Sequence, residues 1–524
     1  MMQSQERLGT TSTPVMATPA AAARNTFIIL FTLYLLLILY PILRADRYYS
    51  DDLVRALDGY YGWDLNGRYL ATLVMRLLQF NLRHLVDIAP LPQLGAIAVL
   101  AGCGVLIGRR FAIDSPWLAA LVTFPLGAQP FFLENLSYRF DALSMALALL
   151  CALLPCLVCK NDRKGYLLGG IALFASLNFY QPALSAYLIF TLLELLAAQL
   201  ADRPPAELLR MLVWRIAQTI LVLLLYRILV APSIDDWLKQ HSETMHGLHE
   251  AGVLKVNAIR FYSYIGDAFN IHWLRGAAPT LLLMAAIPIL VGIRYIRRLQ
   301  DTPWRLRLPW LALAILLPPL AVGCIAGPML PLLNPVVLPR VLMGVGALLC
   351  VGLTGCYLVF RAWCLSDKWT LAHGAFWALG MASFAAAYGN ALSAQKAYEE
   401  RLASSLANDI AGLASEQPVH SILIDGSAGL ATATTQTAQQ FPLIRTLIFP
   451  YLREADFHTS FFLRYYLQNV PELARQPGTQ TQIAEILAQA CSSPVRRIGN
   501  SYALRVVGDT VVATFPAGKP VHCP

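Results

Sequence analysis

The sequence predicts a mainly α, polytopic transmembrane helical bundle of about eleven spans, with a small extracytoplasmic α/β domain at its C-terminal end. Three observations carry that prediction. Hydrophobic residues make up 57% of the 524 and charged residues only 14%, a balance far too apolar for an ordinary soluble domain. Apolar runs recur between residues 27 and 390, most of them close to the roughly 20 residues that a helix needs to cross about 30 Å of hydrocarbon. Past residue 390 these runs stop, and short strand and turn patterns replace them.

Lipid offers no partner to backbone N–H and C=O groups, and the runs lack two-residue alternation, so helices are expected rather than a barrel. Residues 1–25 are rich in Ser, Thr, Ala and Pro and are expected to form a disordered cytoplasmic segment. The first apolar run, Thr26 to Leu43, is long enough to stay in the membrane, so no cleavable signal is expected. The candidate spans are 26–43, 91–108, 115–133, 141–159, 165–180, 182–200, 213–231, 277–296, 308–326, 341–360 and 370–389. Cations cluster between them: Arg109 and Arg110; Lys160, Arg163 and Lys164; Arg203, Arg210 and Arg215; Arg294, Arg297, Arg298, Arg305 and Arg307; Arg361 and Lys368. All of these clusters fall on one side if the N-terminus is cytoplasmic, which puts residues 391–524 outside the cytoplasm. In that tail, 391–415 has a helical apolar pattern, Ser421 to Asp425 reads as a buried strand, and Tyr502 to Phe515 reads as a hairpin around Gly508-Asp509.

The net charge of +9 is spread over these short loop clusters, the pattern of membrane orientation and not of a nucleic-acid surface. Eight of the ten cysteines (Cys103, Cys151, Cys156, Cys159, Cys324, Cys350, Cys356 and Cys364) lie in or beside apolar spans without metal-ligand spacing and read as packing residues. Cys491 and Cys523 lie in the tail, where an extracytoplasmic location permits a disulfide; two free thiols are the alternative. The segment His241 to Glu250 matches no zinc spacing and reads as a polar interfacial loop. No phosphate-binding Gly-rich loop and no Gly-x-Ser-x-Gly elbow is present.

One loop departs from the orientation rule. Residues 44–89 should face outward and be poor in cations, yet they hold Arg44, Arg47, Arg55, Arg68, Arg76 and Arg83, and no lysine. Guanidinium forks suit phosphate oxygens; the structural alternative is snorkelling from interfacial helices, which fits Arg68 to Phe80 and makes Arg76 and Arg83 structural. Asp51 and Asp52 follow Ser50 at what reads as a helix start. They serve either as first-turn acids paired with Arg55 or as a general base in a low-dielectric setting. A second polar island, Glu134-Asn135-Leu136-Ser137-Tyr138-Arg139-Phe140-Asp141, lies on the same side, either as a functional cluster or as a local charge network closing the hairpin. Arg340, after a Pro-rich turn, is a lone cation on that face, for lipid anchoring or substrate contact.

Asp51-Asp52-Leu53-Val54-Arg55, Gly62-Trp63, Gly67-Arg68-Tyr69-Leu70, Asp87-Ile88-Ala89-Pro90-Leu91-Pro92 and Glu134 to Asp141 together resemble the bacterial serotype-converting O-antigen glucosyltransferases, over roughly residues 27–390. The resemblance implies a GT-C-like enzyme of the bacterial inner membrane. It would take glucose from a polyprenyl (undecaprenyl) phosphate carrier and pass it to O-antigen of lipopolysaccharide or a related surface glycan on the periplasmic face. A donor synthase and a flippase are its implied partners, besides membrane lipids. Such a displacement needs one base, cations for the phosphate leaving group, and a sugar pocket. Carried onto this chain, the base is Asp51 or Asp52; the expectation is Asp51 as base and Asp52 as partner of Arg55. The cations come from Arg55, Arg68, Arg139 or Arg340, and Trp63, Asp87, Glu134, Tyr138, Asp141 and Gln181 are the pocket candidates. No metal ligand and no cofactor besides the lipid-linked donor is expected, with divalent-cation assistance left open. The rival functions are a polymerase or ligase using a lipid-diphosphate glycan, and a transporter, which should show internal repeats that the sequence lacks.

Overall fold

The computed structural model describes residues 19–300, 303–454, 456–467, 480–499 and 501–515. Helices coincide with every predicted span. Among the described residues, seven are long and apolar enough to cross a membrane: Pro19–Ala45, Leu91–Arg110, Gln181–Leu200, Pro205–Ser233, Leu274–Arg298, Arg307–Met329 and Met343–Ala362. Pro116–Ala128 and Ala142–Leu157 are apolar but shorter. Arg163–Phe179 has only 17 residues and opens on Arg163 and Lys164, so it falls short on length as well as at its charged start.

Local chemistry explains the helix ends. Ser115 accepts from the Leu118 N–H at 3.4 Å and Asp162 from the Gly165 N–H at 2.7 Å, each satisfying a first-turn donor. In the first span, Pro41 cannot donate an N–H, and the preceding Tyr34–Leu39 is wound as a π-helix, a local widening that relieves such a clash. Helix already begins at Pro19, so 19–25 are not the disordered segment expected from composition; residues 1–18 lie outside the described ones.

The interfacial helix is Tyr69–Gln79. Ala71, Thr72 and Met75 face the protein, while Tyr69, Leu73, Leu77 and Phe80 are exposed. That outward apolar stripe is what a helix lying in the headgroup boundary presents.

The C-terminal region is not separated from the bundle by a linker. Lys368–Glu416 is one helix of 49 residues, about 70 Å long at 1.5 Å per residue, and it crosses the predicted boundary at 390/391 unbroken. Gly389 lets it approach the first span: a Cβ there would stand 2.6 Å from the Pro41 carbonyl oxygen. Past that contact the helix runs alongside the outward loop, with Arg44 bonded to Asn390, Lys396 to Asp46 at 3.0 Å and Arg47 to Glu399 at 3.1 Å.

The helix leads into a four-stranded sheet of order β1-β4-β3-β2, where β1 is Ser421–Gly426, β2 Arg497–Ile498, β3 Ala503–Val507 and β4 Thr510–Phe515. β1 pairs in parallel with β4, and β3 pairs antiparallel with both β2 and β4. Helices cover both faces. Leu402, Leu406 and Ile410 pack with Ile422 and Ile424 on one side. Ile483, Leu487 and Ala490 pack with Leu423 and Val512 on the other. Burial on both faces accounts for the unbroken apolar run of β1. Cys491 is disulfide-bonded, and Cys523 lies outside the described residues.

Leu53, in the outward loop, belongs to the same core as Leu406, Tyr451 and Phe462. The short helix Asp52–Asp58 is therefore docked on the C-terminal domain, with Asp58 also bonded to Arg464 at 2.5 Å.

Candidate active site

The chain leaves the first span at Asp46 (φ +46°) and reaches the Asp52–Asp58 helix through Ser50 (φ +50°). Both are non-glycine residues in the left-handed region, a strain of order 1 kcal/mol each. It is retained where the loop turns Asp51 and Asp52 to different environments.

Asp51 is the N-cap position, and its side chain is 48% exposed. Its Oδ1 accepts from the Ser50 hydroxyl at 3.3 Å and lies 3.6 Å from His458 Nε2. The same His458 Nε2 lies 3.1 Å from Ser50 Oγ, and its Nδ1 lies 2.7 Å from Asp456 Oδ1. Burial alone would raise the Asp51 pKa. The His458 hydrogen bond and the charges of Arg340, Arg55 and His458 overcome that and hold it at about 2. Burial likewise disfavours a charged His458, but the two carboxylates that bracket it, Asp456 and Asp51, raise its pKa above the ordinary value.

Asp52 is wholly buried. Its Oδ2 accepts the Arg139 backbone N–H at 2.7 Å, while Oδ1 has no partner among the described residues. Burial, with the nearby charge of Asp141, pushes its pKa well above the carboxylate range despite the Arg139 bond. The expected pairing of Asp52 with Arg55 is not made, and no ion pair joins Arg55 to either aspartate among the described residues. Arg55 instead donates to the Tyr60 and Tyr61 carbonyls and lies 4.1 Å over the Trp63 ring. It turns inward because the Gly59–Gly62 turn presents carbonyls there.

Arg340, whose charge acts on Asp51, is carried by the turn Pro339–Val341. Its backbone N–H donates to Glu134 Oε2 at 2.6 Å; its Nη1 meets Glu134 Oε1 at 3.4 Å and donates to the Tyr138 hydroxyl. Glu134 is buried, and burial raises its pKa against the opposing pull of Arg340. Arg340 engages only Nη1 of its guanidinium among the described residues, so one edge of the fork stays uncommitted.

The other predicted residues form two further groups. Trp63, Arg68 and Asp141 make a buried network: Trp63 Nε1 donates to Asp141 at 2.8 Å, Arg68 pairs with Asp141 at 2.8 Å, and Arg68 also donates to the Phe179 carbonyl and Ser144. With Trp63 only 2% exposed, this network holds the loop against the hairpin. Arg139 is bonded to Asp87 at 2.8 Å and to Asp46 at 2.5 Å. Gln181 is drawn away to the Tyr226 hydroxyl and the Asn66 carbonyl. The structure thus groups Asp51 with Ser50 and His458, and Glu134 and Tyr138 with Arg340, whose charge acts on Asp51, while Asp52 is buried against the Arg139 backbone. Ser50, His458 and Asp456 were missed by sequence reasoning. The histidine reaches the loop only through the docking of the C-terminal domain, and the Asp456-Phe457-His458 run carries no spacing signal.

The family model described as "Glucosyl transferase GtrII" matches residues 40–351. A curated relative, an uncharacterized 55.3 kDa protein in the gtrB 5′ region of Salmonella phage P22, is 26% identical over 505 residues, covering 93% of this chain and 98% of that protein. No solved structure matches the chain. The matched span takes in the 44–89 loop, the Glu134–Asp141 turn and Arg340, whereas His458 and Asp456 lie beyond it: the chain belongs to the glucosyl transferase GtrII family and is a membrane glycosyltransferase.

Proposed function

We propose that the enzyme transfers glucose from a polyprenyl phosphate carrier to a hydroxyl of O-antigen or a related surface glycan, at the outer face of the bacterial inner membrane. The supporting observation is the half-exposed carboxylate of Asp51, within the field of an Arg340 guanidinium that engages only Nη1 among the described residues. In this reading the chain crosses eleven times, with the N-terminus cytoplasmic and the C-terminal domain periplasmic, which follows from the one-sided cation clusters.

The acceptor hydroxyl gives its proton to Asp51 as its oxygen attacks the anomeric carbon. The bond from that carbon to the phosphate oxygen breaks on the opposite side, so the sugar inverts. The electron pair leaves with the polyprenyl phosphate, whose charge Arg340 meets. Ser50 and His458 hold the Asp51 carboxylate in position. Asp52 is the less suitable base, since it is enclosed and its charged form is disfavoured.

The test uses the full chain in vesicles of bacterial lipid, supplied with radiolabelled polyprenyl phosphate glucose and, separately, a polyprenyl-diphosphate glycan. Transfer to lipopolysaccharide from the monophosphate donor alone is expected. Transfer from the diphosphate donor alone would establish the polymerase or ligase reading instead.

A further inference from the structure

A cavity of about 160 Å³ lies between the 44–89 loop and the C-terminal domain, lined by Leu53 of that loop and by Arg139 of the Glu134–Asp141 turn. That is close to the volume of one hexose. We infer that it is the subsite for a neutral hexose unit of the acceptor glycan; the inference rests on the glycosyltransferase reading above and names where its acceptor is held.

The ring content comes first. Tyr48, Tyr465 and Tyr466 line the cavity. Tyr48 and Tyr465 stand edge to face with centroids 6.3 Å apart, and Tyr465 is 47% exposed although it is a large aromatic. The C–H faces of a pyranose pack on such rings while its hydroxyls reach outward. Arg139 lies 4.1 Å over the Tyr48 ring and closes one side.

The charges are the second observation. Three carboxylates (Asp46, Glu399, Glu400) and three cations (Arg47, Arg139, Lys396) line the cavity, and each cation is already in an ion pair. Such a balanced lining has no cation left for a phosphate and offers both donors and acceptors to hydroxyls. It fits a neutral polyhydroxy ligand and not the anionic donor headgroup.

The third observation is an unmet donor. Arg47 is buried, and its Nη1 has no hydrogen-bond partner among the described residues, although Nε and Nη2 are satisfied by Glu399 and the Phe449 carbonyl. A buried donor left without a partner is unfavourable, and a hydroxyl that shifts the lining enough to reach Nη1 would satisfy it. The position relative to the chemistry also agrees. Tyr451 lines the cavity, and its ring centroid lies 6.3 Å from that of His458, the partner of Asp51.

The experiment uses the full chain in detergent. The probe is the polysaccharide released by mild acid from the lipopolysaccharide of the bacterium carrying this chain, titrated by intrinsic fluorescence. Tyr465→Ala, an exposed position that folding tolerates, is compared with the wild type and with Tyr465→Trp. Expected are at least tenfold weaker binding for Tyr465→Ala, near-normal binding for Tyr465→Trp, and unchanged release of glucose from polyprenyl phosphate glucose to water. Equal binding by Tyr465→Ala, or no binding by the wild type, overturns the subsite. Parallel loss of donor turnover overturns it as well, since the cavity would then serve the donor. If the wild type turns over no polyprenyl phosphate glucose, the proposed function fails while the binding comparison still decides the subsite.

Discussion

Exchanging each aspartate of the pair for asparagine separates base from scaffold. Asp51→Asn keeps the shape and still accepts from the Ser50 hydroxyl, but it removes the half-exposed carboxylate that can take a proton. A positioned general base contributes roughly 10²–10⁴ in rate, about 3–5 kcal/mol at about 1.4 kcal/mol per tenfold. The loss should fall on kcat with the KM values nearly unchanged, because the groups that hold the donor phosphate are untouched. Asp52→Asn is a different perturbation. The amide oxygen still accepts the Arg139 N–H, and burial already favours an uncharged side chain at that position. Activity within about tenfold of wild type is expected, a barrier change under about 1.4 kcal/mol. The assay is single-turnover transfer in vesicles, with the thermal unfolding midpoint of each variant as a check on folding. A folded Asp51→Asn that works at the wild-type rate, or a folded Asp52→Asn that loses a hundredfold or more, would refute the assignment.

His458 should tune the pH response. Asp51, with its pKa held at about 2, keeps its charge well below neutrality; His458→Gln should shift the acid limb of the rate profile upward toward the ordinary aspartate range of about 4, and an unmoved limb would count against the contact. The raised His458 pKa works in the opposite sense for stability: its contribution is complete below the unfolded value of about 6.5 and is lost as pH rises through the higher folded value. The wild-type unfolding midpoint should therefore fall on the alkaline side, and His458→Gln should flatten that slope. Glu399→Gln leaves Arg47 buried without a counter-charge and removes part of the tie between loop and domain; a loss of about 3–5 kcal/mol is expected, read as a lower midpoint, and no change would deny the pair a structural role. Gly389→Ala sets a methyl group against backbone at Pro41, where nothing can yield by a side-chain rotation; a cost of about 1–3 kcal/mol follows, and an unchanged midpoint would contradict the close approach.

Hydropathy placed a helix at each apolar run because lipid imposes one requirement on every span, that the backbone satisfy itself, but it passed over the less apolar helix Gly252–Asp267, which packs Phe261 into the same core. The outward loop stood out for the same reason, since its arginines break a rule set by the membrane. The strand at Ser421 and the hairpin at Gly508 were equally visible, as a short unbroken apolar run and as turn chemistry. What the residues could not reveal was the meeting of Asp51 with His458, about 400 positions apart, or the course of one helix through 390/391. Those depend on Gly389 fitting Pro41 and Leu53 joining the Phe462 core, contacts without a periodic trace. Arg68 and Trp63 read as substrate residues for a related reason: a guanidinium and an indole carry the same letters in a pocket and in the buried network with Asp141 that they form here.

The two aspartates could not be ranked from the sequence for a geometric reason. Consecutive residues at the start of a helix point about 100° apart at 3.6 residues per turn, so one can turn into the protein while the other stays partly exposed. Which one does so depends on what the helix packs against. Leu53 is drawn into the core of the C-terminal domain, and the Arg139 N–H waits behind position 52. Together they turn Asp52 inward and leave Asp51 outside. Two like charges at adjacent positions would otherwise raise each other's pKa. Enclosing Asp52 where its neutral form is favoured relieves that repulsion, and bringing His458 to Asp51 stabilises the remaining charge. Under the proposed mechanism, docking of the C-terminal domain therefore sets which carboxylate acts as the base, as well as holding the acceptor. A substitution at the Leu53–Phe462 contact should lower the transfer rate without touching either aspartate.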